Sequence, residues 1–451
     1  MGQTAAAALG DGDGDPAGRN RREQSYMDDS PRSTLPRQGS DSGSLSGRVL
    51  TGLARVGLAT AVAVTAATVA AQAPAAAAVA GVAEASGVAA VSGVAASSGV
   101  AAVSGVAAAP VKPAAAGPHG SAFVWLDTDD AAMCPVPAEH QWNSTSPWEP
   151  VNMVCEDGTG LYTVILPGLG VSAGTVQVTA YGSDSNYCKV QSWAPAGSEQ
   201  RIKVKCFNSS GAPAASQFTV SYANVAGTGY PLAYVFANQP TTASYTPPLN
   251  YQFNYGIGNI KITKSATQTG VYTAQIPGMA YSGGHVQVTA YGPGPEWCTA
   301  WNWAASGTSQ LVQVHCYTAA GVPANSRFTM AYVVNGNILG EPRCCSPDGN
   351  PTAYAFAHNP TASSYVPAPA FRYGFSPTGL IRRLSVGRYE VDYDWSSDVG
   401  TIHVTAIGQG SRCKLESWGT TTTAFVRCTN TTGAPMDATY LFHHVGPFVV
   451  G

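Results

Sequence analysis

The sequence predicts an all-β protein: three tandem antiparallel β-sandwich domains of Ig-like type after a disordered N-terminal leader. Three observations carry that prediction. Landmark segments recur at near-constant offsets from about His119 onward, the signature of an internal repeat. Each copy is filled with runs alternating apolar and polar residues, bounded by Gly, Pro and Asn, and no run of helical period competes. Each copy also carries two cysteines on consecutive expected strands.

The leader comes first in chain order. Residues 1–47 are polar and lack the material for a core. In residues 48–79, Arg48 and Arg55 precede the apolar run "VGLATAVAVTAATVAA" and a small-residue zone, the order of a secretory signal. The run is too short and Ala-rich for a membrane span, so none is expected in the mature protein. Residues 80–118 repeat "SGVAAV"-like units with Gly81, Gly87, Gly93, Gly99 and Gly105 at six-residue spacing, and read as a flexible linker.

The repeats follow as residues 119–228, 229–335 and 351–451, with 336–350 as a linker between the last two. "AFVWLD" at Ala122, "AYVFAN" at Ala233 and "AYAFAH" at Ala353 open the three units. "GLYTVILPG" at Gly160 returns as "GVYTAQIPG" at Gly270 and "GRYEVDYDW" at Gly387. "VQVTAYG" at Val176 recurs unchanged at Val286 and as "IHVTAIG" at Ile402. Trp193, Trp303 and Trp418 correspond, as do Gly211, Gly321 and Gly433, and are read as structural. Two packed sheets per unit are the simplest way to bury one face of every strand.

Pairing within each copy gives Cys188–Cys206, Cys298–Cys316 and Cys413–Cys428. By loop-closure entropy each bridge contributes about 3 kcal/mol. Cys134 and Cys155 occur only in the first copy and are expected to pair, while Cys344 and Cys345 are left open between a vicinal bridge and a link to another chain. Ten cysteines in all point to an oxidising compartment.

At "GVYTAQIPG", "HVQVTAYG", Cys298 to Trp303 and Cys316 to Phe328 the chain resembles a family of uncharacterised secreted tandem-repeat proteins of actinomycete bacteria. The resemblance implies export and repetition; it brings no activity, ligand or catalytic residue. The third copy departs from it, with Ile407 where the others have Tyr.

The chain holds 23 Lys plus Arg against 26 Asp plus Glu, which offers no basic face for nucleic acid. No nucleophile elbow, HExxH, P-loop or dinucleotide fingerprint is present, and no cofactor or metal is expected. His285, His315 and His403 fall on the outward parity of their strands and read as solvent-facing; His443 and His444 close the last strand. Asp127, Asp129 and Asp130 read as a solvated turn, and Glu390, Asp392, Asp394 and Asp398 as an acidic patch. The sequons at Asn143, Asn208 and Asn430 read as chance.

The aromatic residues of "EWCTAWNW" stand out. Trp297 and Trp301 correspond to Tyr187 and Gln191 in copy one and to Arg412 and Glu416 in copy three. A position that accepts Gln and Glu is expected at the surface, where a Trp can stack on a sugar ring or an apolar partner. Packing against a neighbouring domain is the competing expectation. The whole reads as a secreted or cell-surface, non-enzymatic binding or adhesion protein for a glycan, cell-wall polymer or other surface protein. A self-associating surface or coat protein, or a secreted hydrolase with its site in one divergent repeat, are the alternatives.

Overall fold

The computed structural model describes residues 119–128, 135–340, 352–375, 378–393, 400–408, 410–419 and 422–446. The leader, Cys134, Cys344, Cys345, Asp129, Asp130, Asp394 and Asp398 lie outside these residues, and with them the expected Cys134–Cys155 pairing.

Copy one contributes β1 (Gly120–Leu126), β2 (Gln141–Asn143), β3 (Met153–Gly158), β4 (Leu161–Leu166), β5 (Thr175–Tyr181), β6 (Tyr187–Ala196), β7 (Glu199–Phe207) and β8 (Gln217–Asn224). Copy two contributes β9 (Leu232–Ala237), β10 (Ser244–Tyr245), β11 (Gln252–Asn254), β12 (Lys261–Lys264), β13 (Val271–Pro277), β14 (His285–Tyr291), β15 (Trp297–Ser306), β16 (Ser309–Tyr317) and β17 (Arg327–Val333). Copy three contributes β18 (Thr352–Ala357), β19 (Ser364–Tyr365), β20 (Arg372–Tyr373), β21 (Ile381–Ser385), β22 (Arg388–Asp392), β23 (Thr401–Ile407), β24 (Ser411–Trp418), β25 (Thr423–Asn430) and β26 (Thr439–Val445).

Within a copy, one sheet half runs β2-β1-β8-β5 and the other β3-β4-β7-β6, all antiparallel, and copies two and three repeat the pattern. Alternation builds the outer strands: on β7, Ile202, Val204 and Cys206 are buried while Arg201 and Lys203 are exposed. Each pair of halves encloses its own apolar core, centred on Tyr162, Tyr272 and Tyr389 in turn. The hydroxyls of these tyrosines accept the backbone N–H of Ser216, Ser326 and Ala438, which ties β4, β13 and β22 to the start of the last strand of each copy. Gly160, Gly270 and Gly387 take φ of 66°, 73° and 67°; a Cβ at Gly160 would stand 2.5 Å from Ala214 O, so side chains are excluded there in all copies.

The copies are not independent beads. Three parallel contacts join them: Tyr291 with Val190, Ile407 with Ala300, and Tyr181 with Leu415. Each antiparallel half therefore continues into the next copy, giving three mixed sheets in the orders β19-β21-β22-β25-β24-β5-β8-β1-β2, β10-β12-β13-β16-β15-β23-β26-β18-β20 and β11-β9-β17-β14-β6-β7-β4-β3. Copy one joins two, two joins three, and three returns to one. The chain thus forms a closed ring with pseudo-threefold symmetry. Residues 336–340, expected as linker, pack into it: Asn337, Ile338 and Leu339 are buried, and Tyr230 donates its hydroxyl to Asn337 Oδ1 at 2.9 Å.

Strands β5, β14 and β23 meet at the axis, and six of the seven residues of each are buried on both faces. Their inner edges lack a continuous ladder, so side chains satisfy the amides. Val178 N donates to Thr289 Oγ1 at 3.1 Å, Val288 N to Thr405 Oγ1 at 3.1 Å, and Val404 N to Thr179 Oγ1 at 3.0 Å. Thr289 and Thr405 pass their own protons to Gln177 and Gln287. At the place of the third Gln stands His403, whose Nδ1 lies 3.4 Å from Thr179 Oγ1.

One expectation from strand parity is corrected here. His285 and His403 are wholly buried, because the face read as solvent is the inter-copy face. The recurring tryptophans are structural as expected, and they act between copies. Trp193 packs on Phe236, Tyr251 and Tyr291 of copy two. Trp303 packs on Phe356 and Phe371 of copy three, beside Ile407. Trp418 packs on Trp125 and Tyr181 of copy one.

Three disulfides link directly paired residues of consecutive strands, Cys188–Cys206, Cys298–Cys316 and Cys413–Cys428, with Cα–Cα separations of 4.0, 4.0 and 4.1 Å. They indicate an oxidising environment. Among the described residues no helix is long and apolar enough to cross a membrane.

Candidate functional site

The first strand of each disulfide-linked hairpin carries a β-bulge at the same place: between Val190 and Ser192 in β6, Ala300 and Asn302 in β15, Leu415 and Ser417 in β24. The extra residue is Gln191, Trp301 or Glu416. A bulge leaves that residue unpaired in the ladder and turns its side chain out of the regular alternation. The scaffold thus places one variable side chain per copy at equivalent positions, and of the three only Trp301 is exposed.

In copy two the bulge builds an aromatic shelf. Trp301 is 37% exposed and lies flat on His315 of β16, with ring centroids 4.3 Å apart and planes within 4°. His315 Nδ1 is 3.4 Å from the Tyr317 hydroxyl. Beside the shelf lies a cleft of about 290 Å³, walled by Gln268, Thr269, Gly270, Val271 and Pro323. Burial holds the His315 imidazole below its ordinary value and pushes Tyr317 up to about 12, so both are neutral at pH 7. A neutral, aromatic floor with amide and hydroxyl groups on one wall suits a polar ligand with an apolar face.

The same pair of positions is filled differently elsewhere. In copy three Glu416 accepts from Arg427 at 3.0 Å and from Arg388 at 2.7 Å, which closes the surface with ion pairs. In copy one the positions hold Gln191 and Lys205. The shelf is a property of copy two.

Trp297 is corrected from surface candidate to buried residue, at 5% exposure. It stacks on Tyr317 with centroids 4.7 Å apart and donates its indole N–H to Thr318 O at 2.7 Å. Its equivalents meet it at the axis: the Arg412 guanidinium lies 4.2 Å from the Tyr187 ring centre and 5.0 Å from that of Trp297. Three positions far apart in sequence form one cation–π cluster.

The remaining candidates make local contacts. Asp127 faces His140 at 3.6 Å. Arg382 pairs with Glu390, with Asp392 also close at 3.8 Å. Asn143 is fully buried and bonds Asn152 and Pro167 O, which removes it as a glycosylation acceptor. Asn208 and Asn430 turn their Oδ1 inward to accept backbone N–H groups of their own loops, Ser210 and Ala212 in one, Thr432 and Ala434 in the other. Cys155 lies half-buried on β3. Among the described residues no group of three or more His, Cys, Asp or Glu is arranged to hold a metal ion.

Sequence parity missed the axial histidines. The missed signal was present: the supposedly outward Gln177/Gln287 and Thr179/Thr289/Thr405 recur almost unchanged, whereas truly outward positions such as Lys205/His315/Arg427 drift. Comparison with protein-family models, curated proteins and solved structures found no match.

Proposed function

We propose that the chain is a secreted or cell-surface binding protein, without catalytic activity, that holds a glycan or cell-wall polymer on the Trp301 shelf. One observation carries the reading: an indole turned outward by a bulge, braced flat on His315, beside a cleft with Gln268 and Thr269 on its wall. Stacking on the indole face would select a ring with an apolar side, and the polar wall would orient it. The tandem Ig-like arrangement and the export expected from the leader fit a role outside the cell.

Self-association through open sheet edges has less support. Among the described residues the outermost strands β2, β10, β11, β19 and β20 are only two or three residues long, leaving β3 as the longer edge. Ring closure occupies the inner edges that independent sandwiches would expose.

The test is binding of the purified chain to a glycan array and to isolated cell-wall polymer. Trp301→Ala should weaken binding roughly tenfold or more, about 1.4 kcal/mol, with an unchanged circular dichroism spectrum. Folding is expected to survive because Gln and Glu stand at this position in the other copies. Equal binding by the folded variant would overturn the assignment to this shelf.

A further inference from the structure

The geometry points to a second, unrelated site: the pocket on the pseudo-threefold axis binds a small oxyanion. This goes beyond the Trp301 reading and does not rest on it. The pocket holds about 70 Å³ and is lined by equivalent segments of all three copies, with the middle of β5, β14 and β23 as its floor. That volume admits a sulfate- or phosphate-sized group and excludes a sugar ring.

Three cationic side chains line it, and all are more than nine-tenths buried: Lys189, Arg412 and Lys414 are 1%, 7% and 5% exposed. Buried charges of one sign need compensation. Lys189 Nζ donates to Gly294 O at 2.9 Å and lies 3.4 Å from Glu296 Oε2, whose side chain is 35% exposed. Lys414 pairs with Asp184, whose side chain is 49% exposed. Arg412 meets no carboxylate in these contacts: it bonds the carbonyl oxygens of Ser209 and Ala319, and its Nε is buried with no partner. Two half-solvated acids thus face three enclosed cations.

The titration directions agree. Burial pulls Lys189 down to about 8 despite Glu296, lowers Lys414 despite Asp184, and lowers Arg412. The acids present do not restore the usual lysine range, as a fitting counter-ion would. At the third equivalent position stands Thr299, fully buried, its hydroxyl 3.4 Å from Gly408 O. Two lysines and a hydroxyl around one axis, capped by Arg412, make a donor set for oxygen atoms.

Equilibrium dialysis of the full chain against radiolabelled sulfate and phosphate, at pH 7 in fixed excess chloride, tests this. One saturable site per chain is expected. Raising the pH to 10 should weaken it as Lys189 gives up its proton. Arg412→Gln should bind at least tenfold more weakly, and Thr299→Lys, which completes the ring of three lysines, should bind more tightly. Displacement by a sulfated disaccharide would identify a glycan-borne group as the ligand, and its failure a free ion; either supports an oxyanion site. Absence of saturable uptake overturns the proposal, as does wild-type uptake by folded Arg412→Gln. Should that variant not fold, Thr299→Lys decides: tighter binding supports the site, and unchanged or weaker binding overturns it.

Discussion

At the scale of single residues, the axial histidines set the response to acid. His285, His403 and His443 are fully buried, and burial drives their pKa values down, to about 3 for the first two and well below the ordinary value for His443. His443 Nδ1 and Nε2, His285 Nδ1 and His403 Nε2 have no hydrogen-bond partner. The sign follows from linkage. Native imidazoles stay neutral while unfolded ones take up protons below about pH 6.5, so stability is full above that pH and falls as pH drops toward 3. At pH 5 the loss is roughly 2 kcal/mol for each of His285 and His403, and His443 adds to it in the same direction. Thermal unfolding should therefore shift steeply downward between pH 7 and pH 5. His403→Gln places the residue of the other two copies at this position, and should remove roughly 2 kcal/mol of the loss at pH 5 while leaving stability at pH 7 within about 1 kcal/mol. A pH profile unchanged in the variant would show that His403 titrates normally. None of this was legible by parity, because alternation identifies two faces of a strand without saying that both are covered.

At the scale of elements, period-2 patterning and cysteine spacing were enough to locate the hairpins and their bridges. Cys188 and Cys206 sit opposite each other because β6 and β7 pair in a register their alternation already implied. The bulges were not legible, since one inserted residue in a strand leaves the polar-apolar pattern readable on either side. Nor were the parallel junctions, each of which rests on a single registered pair plus one bond such as Gly292 N to Val190 O at 2.9 Å. What holds those junctions is the recurring tryptophan. Trp193 is 6% exposed, donates to Ala173 O at 3.2 Å, and packs three aromatic rings of the next copy. Trp193→Ala should cost about 3–5 kcal/mol by the loss of a buried aromatic side chain. Denaturant titration followed by circular dichroism measures it. A cost below 1 kcal/mol would mean that the copies do not depend on this contact.

At the scale of the whole molecule, three copies were legible in the sequence and their closure was not. Self-similarity at an offset of 110 residues fits separate beads as well as a ring, because repeats record ancestry of the unit and not its docking. The distinction lies in which contacts each copy can satisfy alone. Without copy three, Val288 N loses Thr405, Ala300 loses its pairing with Ile407, and Trp303 loses Phe356 and Phe371. Copy one simultaneously loses Trp418 from Trp125 and Tyr181. A chain ending after Gly340 would expose both ends of this broken ring, with unpaired amides and apolar rings facing water. The intact chain should then unfold in one cooperative transition, with calorimetric and van't Hoff enthalpies equal, and the truncated chain should melt at least 10 °C lower or associate through its open ends. Independent sandwiches would behave otherwise: removing one would leave the midpoint of the other two in place. Differential scanning calorimetry of the two chains, with sedimentation to detect association, separates the outcomes, because only a closed ring makes the stability of copies one and two depend on residues beyond Gly340.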